Sequence, residues 1–262
     1  MLRFYVRLRT LAQALCRKKL FETTEYYFRW EGRMISSEHQ KLFDNIKRQN
    51  SELSSRLTDK IVESSFDTGS RLPFKVKTLE SILARRIYEL CESAIILHNE
   101  NKELAVIIIT RSISETSSLL FWLSRKISKV VESRTLDDID IFLMKNIFGT
   151  KAIEAEPEPY KPYNALTAID KVDKVIERFR KNYDILCDYT HPNSSGGMLA
   201  FGTLNREEGV FEMKDSSEKI PIGISLNTLN MVLAICHESL TEIDNNFQTF
   251  IEICEESESE IK

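Results

Sequence analysis

Residues 102–131 constrain the fold more than any other stretch of this chain. They open with Leu104-Ala105-Val106-Ile107-Ile108-Ile109 and continue with no turn signal. The β-branched isoleucines alone would suit a strand, but an apolar pattern sustained over this length is helical. A helix that is apolar all round its first turns must be buried on several sides. The second half carries Ser112, Ser114, Thr116, Ser117 and Ser118, small residues that let neighbouring helices come close. The chain is therefore expected to be all-α, with its other helices gathered around this one.

The remaining segments fit that expectation. Residues 2–30 read as a helix with Leu2, Val6, Leu8, Leu11 and Leu15 near one face. Residues 36–64 read as a second, capped by Ser36 or Ser37, with Leu42, Ile46, Leu53, Leu57 and Ile61 at helical spacing. Phe66 to Pro73 holds Gly69 and Pro73 and reads as a loop. Helices follow over 75–99 and 137–148. A proline-rich exposed loop spans 149–163, and one long helix covers 165–190, with Ile169, Val172, Ile176, Phe179, Tyr183 and Leu186 in 3,4 alternation. His191-Pro192 ends it, because proline cannot continue a helix. A small β-hairpin insertion is expected near 197–224, then a last helix over 225–253.

Charge suggests how these parts divide. Residues 1–60 hold 13 basic and 7 acidic residues, whereas Glu252 to Glu260 holds five glutamates and no base. The expected division is a basic helical appendage over 1–65, a helical bundle over 74–253 and an acidic tail over 254–262. On this reading a chain starting near Phe74 stays folded. With 8 Gly and 6 Pro the chain is too poor in turn formers for an all-β protein, and it holds no Gly-rich phosphate loop.

Five scattered cysteines with no CxxC pair resemble neither a disulfide framework nor a zinc ribbon, and read as reduced thiols in a cytoplasmic protein. No apolar run approaches the roughly 18 residues of a membrane span. Arg7 and Arg9 interrupt anything like a secretory signal.

Three residues are candidates for chemistry. Arg111 and Glu115 stand four apart on the apolar helix and can pair. Either they form an internal ion pair that fixes packing, or Glu115 orients an arginine held for an anionic ligand. His191 either caps its helix, where the dipole favours it, or transfers protons near neutral pH. If Arg111 and His191 meet in space, the arginine can hold a phosphate against a neutral imidazole. No cofactor is expected, and pairing of His191 with Cys187, or of Cys236 with His237, has poor metal-ligand spacing. The aromatic and arginine residues at Arg3-Phe4-Tyr5 and Tyr26-Tyr27-Phe28-Arg29-Trp30 suit either single-stranded nucleic acid or docking on the core.

Two blocks carry a resemblance. The first is Ala84-Arg85-Arg86-Ile87-Tyr88-Glu89-Leu90, with Ala105 and Arg111-Ser112-Ile113-Ser114-Glu115-Thr116. The second runs from Tyr183 to His191-Pro192-Asn193-Ser194. Over about 75–250 the chain resembles an uncharacterised bacterial helical family with an R-S-x-x-E helix and a later Y…H-P-S motif, distantly similar to HEPN domains. The resemblance implies a metal-independent ribonuclease or nucleotide-binding protein of a bacterial antiphage defence or stress system. RNA or a nucleotide would be its ligand, an operon-encoded protein its partner and a homodimer its state. Arg111, Glu115 and His191 would be its catalytic set. The HEPN spacing of Arg, four to six residues, then His fails at His191, because Asp184, Ile185 and Leu186 fill the three positions. Only Arg33 and His39 keep that spacing, outside the resembling region. The alternative is a non-catalytic helical interaction module with a structural Arg/Glu/His network.

Overall fold

The structure, a computed structural model, describes residues 37–66, 68–150, 161–205 and 207–259. The helix expected over 2–30, Arg33 and most of the proline-rich loop lie outside the described residues. The main elements are α1 (Ser37–Ser54), α2 (Leu72–Asn99), α3 (Glu103–Ser133), α4 (Ile139–Ile147), α5 (Ala165–Asp173) and α6 (Phe179–Thr190). They are followed by β1 (Gly202–Asn205), β2 (Val210–Met213) and α7 (Ile222–Ser259). The protein is mainly α, with one two-stranded antiparallel hairpin.

The central element is α3. Val106, Ile113, Leu120, Leu123 and Ile127 are fully buried along it, and α2, α5, α6 and α7 pack against it. Among the described residues it is the one helix long and apolar enough to cross a membrane, and over half of its most apolar stretch is covered by the rest of the fold. Its hydroxyls are buried because most bond inside the helix. Thr110, Ser114, Thr116 and Ser118 donate to the carbonyls of Val106, Thr110, Ser112 and Ser114 at 2.7–2.8 Å. A polar atom satisfied in its own turn can face an apolar neighbour without a desolvation penalty.

Two buried polar groups fix how the helices sit. At the α2–α3 corner, His98 Nδ1 and Glu103 Oε1 lie 2.8 Å apart, with side chains only 6% and 2% exposed. Ser225 of α7 donates to the other Glu103 oxygen at 3.4 Å, and the Phe43 ring of α1 lies 4.5 Å from the His98 ring. Farther along, Glu242 of α7 accepts from Ser124 (2.8 Å), Ser128 (2.7 Å) and Arg125 (3.1 Å) of α3. Both sets tie side chains from separate helices, so each fixes one register.

Within the segment expected as an appendage, α1 is built into the bundle. Phe43, Ile46 and Leu53 belong to the same core as α2, α3 and α7. Asn45 and Gln49 of α1 donate to Asn230 of α7 at 2.5 and 2.9 Å. Residues 37–60 hold five basic and four acidic residues, so nearly all the charge excess that set the segment apart lies in residues 1–36. At the other end, α7 runs to Ser259 with Cys254 fully buried, well into the stretch expected as an acidic tail. Burial pushes the thiols of Cys91, Cys236 and Cys254 up to about 12.

Two local expectations change. Pro73 does not close a loop but sits in the first turn of α2, where a missing N–H costs nothing. The single helix expected over 165–190 is two. Arg178 adopts φ 69°, and Asp173 Oδ1 accepts the Arg180 N–H at 2.9 Å at the start of α6. Sequence periodicity did not show this break because Ile176 and Phe179, which flank the turn, still point into the core. The hairpin lies within 197–224, but Ser194–Met198 forms a π turn and Leu199–Phe201 a helical turn before β1 begins.

Candidate functional site

The break between α5 and α6 shapes a cleft. Because α6 restarts at Phe179, its residues Arg180, Tyr183, Asp184 and Cys187 fall at i, i+3, i+4 and i+7 on one face. That face meets Arg111 and Glu115, one turn apart on α3. The far wall is Gly149, Thr150, Pro162 and Tyr163, together with the start of α5, where the Asn164 side chain accepts the Leu166 N–H at 3.0 Å. The cleft holds about 770 Å³ and opens to solvent.

Its centre is a three-residue network. Arg111 Nη2 lies 3.3 Å from Glu115 Oε1. The Tyr183 hydroxyl donates to the same carboxylate oxygen at 2.6 Å and accepts from Arg111 Nε at a longer 3.4 Å. The Arg111 guanidinium sits 5.8 Å from the centre of the Tyr183 ring. Burial, then the bond to Glu115, raises the Tyr183 hydroxyl well above its usual value, so it remains a donor at ordinary pH. Beside this network, Arg180 donates to Asp184 at 2.9 Å and to Asp170 at 2.8 Å.

The structure thus brings Arg111 and Glu115 together, but the third member of their group is Tyr183 rather than His191. His191 is the C-cap of α6 in extended conformation, is exposed and does not line the cleft. Its backbone is held instead. The His191 N–H donates to Cys187 at 3.2 Å, and a Cβ on Gly196 would come within 2.2 Å of the His191 carbonyl. That packing explains the glycine in the loop after His191-Pro192 without any ligand. Among the described residues no group of three or more His, Cys, Asp and Glu side chains gathers as a metal site.

The Arg111–Glu115 pair is also less buried than so apolar a helix suggests, with side chains 31% and 30% exposed. Glu115→Ala should therefore cost about 1–2 kcal/mol, the loss of one short hydrogen bond and a partly screened ion pair. Equilibrium denaturation checks this, and a loss above about 4 kcal/mol would mean that the pair is sealed from water.

The sequence does not single out Arg180, or Asp184 and Cys187 as its cleft neighbours, because each alone looks like an ordinary surface residue of an amphipathic helix. The signal was their shared stripe with Tyr183. Comparison with family models, with curated proteins and with solved structures finds no match to this chain.

Proposed function

We propose that the protein is a helical ligand-binding protein whose cleft between α3 and α6 takes a nucleotide-like anion. The observation that carries the reading is Arg111. Its guanidinium stands in an open cleft, oriented by Glu115 and Tyr183, instead of being sealed in the core. An arginine fixed in this way loses little freedom when it forks onto a phosphate. Arg180 on the facing helix adds a second guanidinium. A volume of about 770 Å³ suits one nucleotide, within the range of small-molecule sites. The HEPN-like resemblance supports the same chemistry, with RNA or a nucleotide as ligand in a bacterial defence or stress system. Cleavage is not part of the proposal, since the exposed His191 lies outside the cleft and no other histidine lines it.

One observation favours the rival reading, a non-catalytic interaction module. Each cleft arginine already has a carboxylate on its own helix, Glu115 for Arg111 and Asp184 for Arg180. Thermal melts with mononucleotides and a short single-stranded RNA separate the two. A ligand at about a hundred times its Kd stabilises the folded state by about 2.7 kcal/mol, a shift of several degrees at most for a chain this size. The expected result is a nucleotide-dependent rise in Tm for the wild type and none for Arg111→Gln. No rise in either protein favours the interaction module.

A further inference from the structure

The atoms left open in the cleft narrow the ligand further, on the footing that the cleft binds an anion at all. Arg111 spends Nη2 on Glu115 and Nε on Tyr183, so its Nη1 has no partner among the described residues. Arg180 spends Nε on Asp184 and Nη1 on Asp170, which leaves Nη2. On the acidic side, Arg111 and Tyr183 both fall on Oε1 of Glu115, so Oε2 accepts nothing from the described residues. Arg180 falls on Oδ1 of Asp184, which leaves Oδ2 open. Among the described residues, each of the two facing helices thus carries, on residues that line the same cleft, one open donor and one open acceptor.

A bare anion fits this pattern badly. It satisfies the two guanidinium groups but brings its charge against Glu115 and Asp184, where like charges repel. The matching ligand carries an anionic group at one end and N–H groups for a carboxylate at the other. We infer that the ligand is a guanine nucleotide, with its phosphate on Arg111 and Arg180 and the N–H edge of its base on Glu115 or Asp184. Guanine sets an amino group beside a ring N–H on its Watson–Crick edge. At Asp184 this pair of adjacent donors meets Oδ2 and the second lone pair of Oδ1, which takes one donor from Arg180. At Glu115, with Oε1 filled by Arg111 and Tyr183, one donor meets Oε2. Adenine sets its amino group beside a ring acceptor, which would face a carboxylate oxygen lone pair to lone pair. A site that hydrogen-bonds a ligand's N–H strongly rejects the analogue lacking it, because its own polar atoms are then left unpaired.

Equilibrium dialysis of the full chain against GMP, AMP and inorganic phosphate tests this. GMP should bind about tenfold or more tighter than AMP, the discrimination that one bidentate base contact gives. Inorganic phosphate should bind more weakly than GMP. Glu115→Gln and Asp184→Asn replace an open acceptor with an amide. At least one should reduce the GMP preference to near parity by weakening GMP alone. Asp184 is more than half exposed, so Asp184→Asn leaves the fold intact even if Glu115→Gln loosens it. Equal binding of GMP and AMP to the wild type overturns the guanine assignment and leaves the anion reading standing. A GMP preference unchanged in both variants also overturns it. Binding of none of the three overturns both.

Discussion

Glu242→Ala should cost about 3–5 kcal/mol, the loss expected when one member of a buried charge pair is removed. Glu242 is 6% exposed on α7, and its carboxylate is the shared acceptor for Ser124, Ser128 and Arg125 of α3. Truncation takes the shared acceptor from all three donors. Ser124 can fall back on the Phe121 carbonyl, 2.9 Å away, and the Arg125 guanidinium keeps the Phe121 ring, 5.0 Å away, but loses this carboxylate. Arg125 is about one third exposed and reaches water in part, so the loss should fall toward the lower end of that range. Glu242→Gln keeps an acceptor and should cost about 1 kcal/mol, a typical net hydrogen bond. Combining Glu242→Leu with Ser124→Ala and Ser128→Ala should recover the part of the alanine loss that the two serines carry, since these donors go with the acceptor, while the Arg125 part remains. Urea denaturation of the series reads this directly. Additive losses would mean that the three helix positions act separately.

A chain shortened to begin at Phe74 should aggregate or fail to fold. Phe43, Ile46 and Leu53 of α1 fill core positions against α2 and α7. Burying three such side chains is worth about 5–9 kcal/mol together, comparable with the whole net stability of a domain, about 5–15 kcal/mol. The polar seam goes with them. Asn230 of α7 loses the side-chain donors Asn45 and Gln49, and His237 loses the Gln49 carbonyl 2.9 Å from its Nε2. A chain beginning at Ser37 keeps these contacts and should remain soluble. Expression of the two shortened chains, followed by size-exclusion chromatography, checks the contrast. A soluble, cooperatively melting protein beginning at Phe74 would show that α1 is dispensable.

The central helix was legible because its signal is long and unbroken. From Glu103 to Ser133 no glycine or proline interrupts it, and the buried positions recur at helical spacing. The break at Arg178 was not legible, because a left-handed turn can be made by an arginine and the apolar rhythm passes through it. The place of α1 in the core was not legible for a different reason. Net charge was averaged over a basic 1–36 and a nearly neutral 37–60. In the site, the spacing of Arg111 and Glu115 revealed their pairing. Tyr183 as their partner depends on how α6 lies across α3, which one chain's periodicity does not encode. The same holds for Glu242, a glutamate inside an apolar seam whose donors lie more than a hundred residues away.

Isothermal titration of GMP into the wild type and into Arg111→Gln, side by side, tests the central claim most directly. The account predicts a saturable wild-type isotherm with one site per chain, and a loss of affinity of about tenfold or more in the variant, since bonds to charged groups carry about 1.5–3 kcal/mol. The variant's melting temperature should stay close to the wild type's, because the Tyr183–Glu115 bond at 2.6 Å survives the change. Equal affinities in the two proteins, or no heat of binding in either, would contradict it.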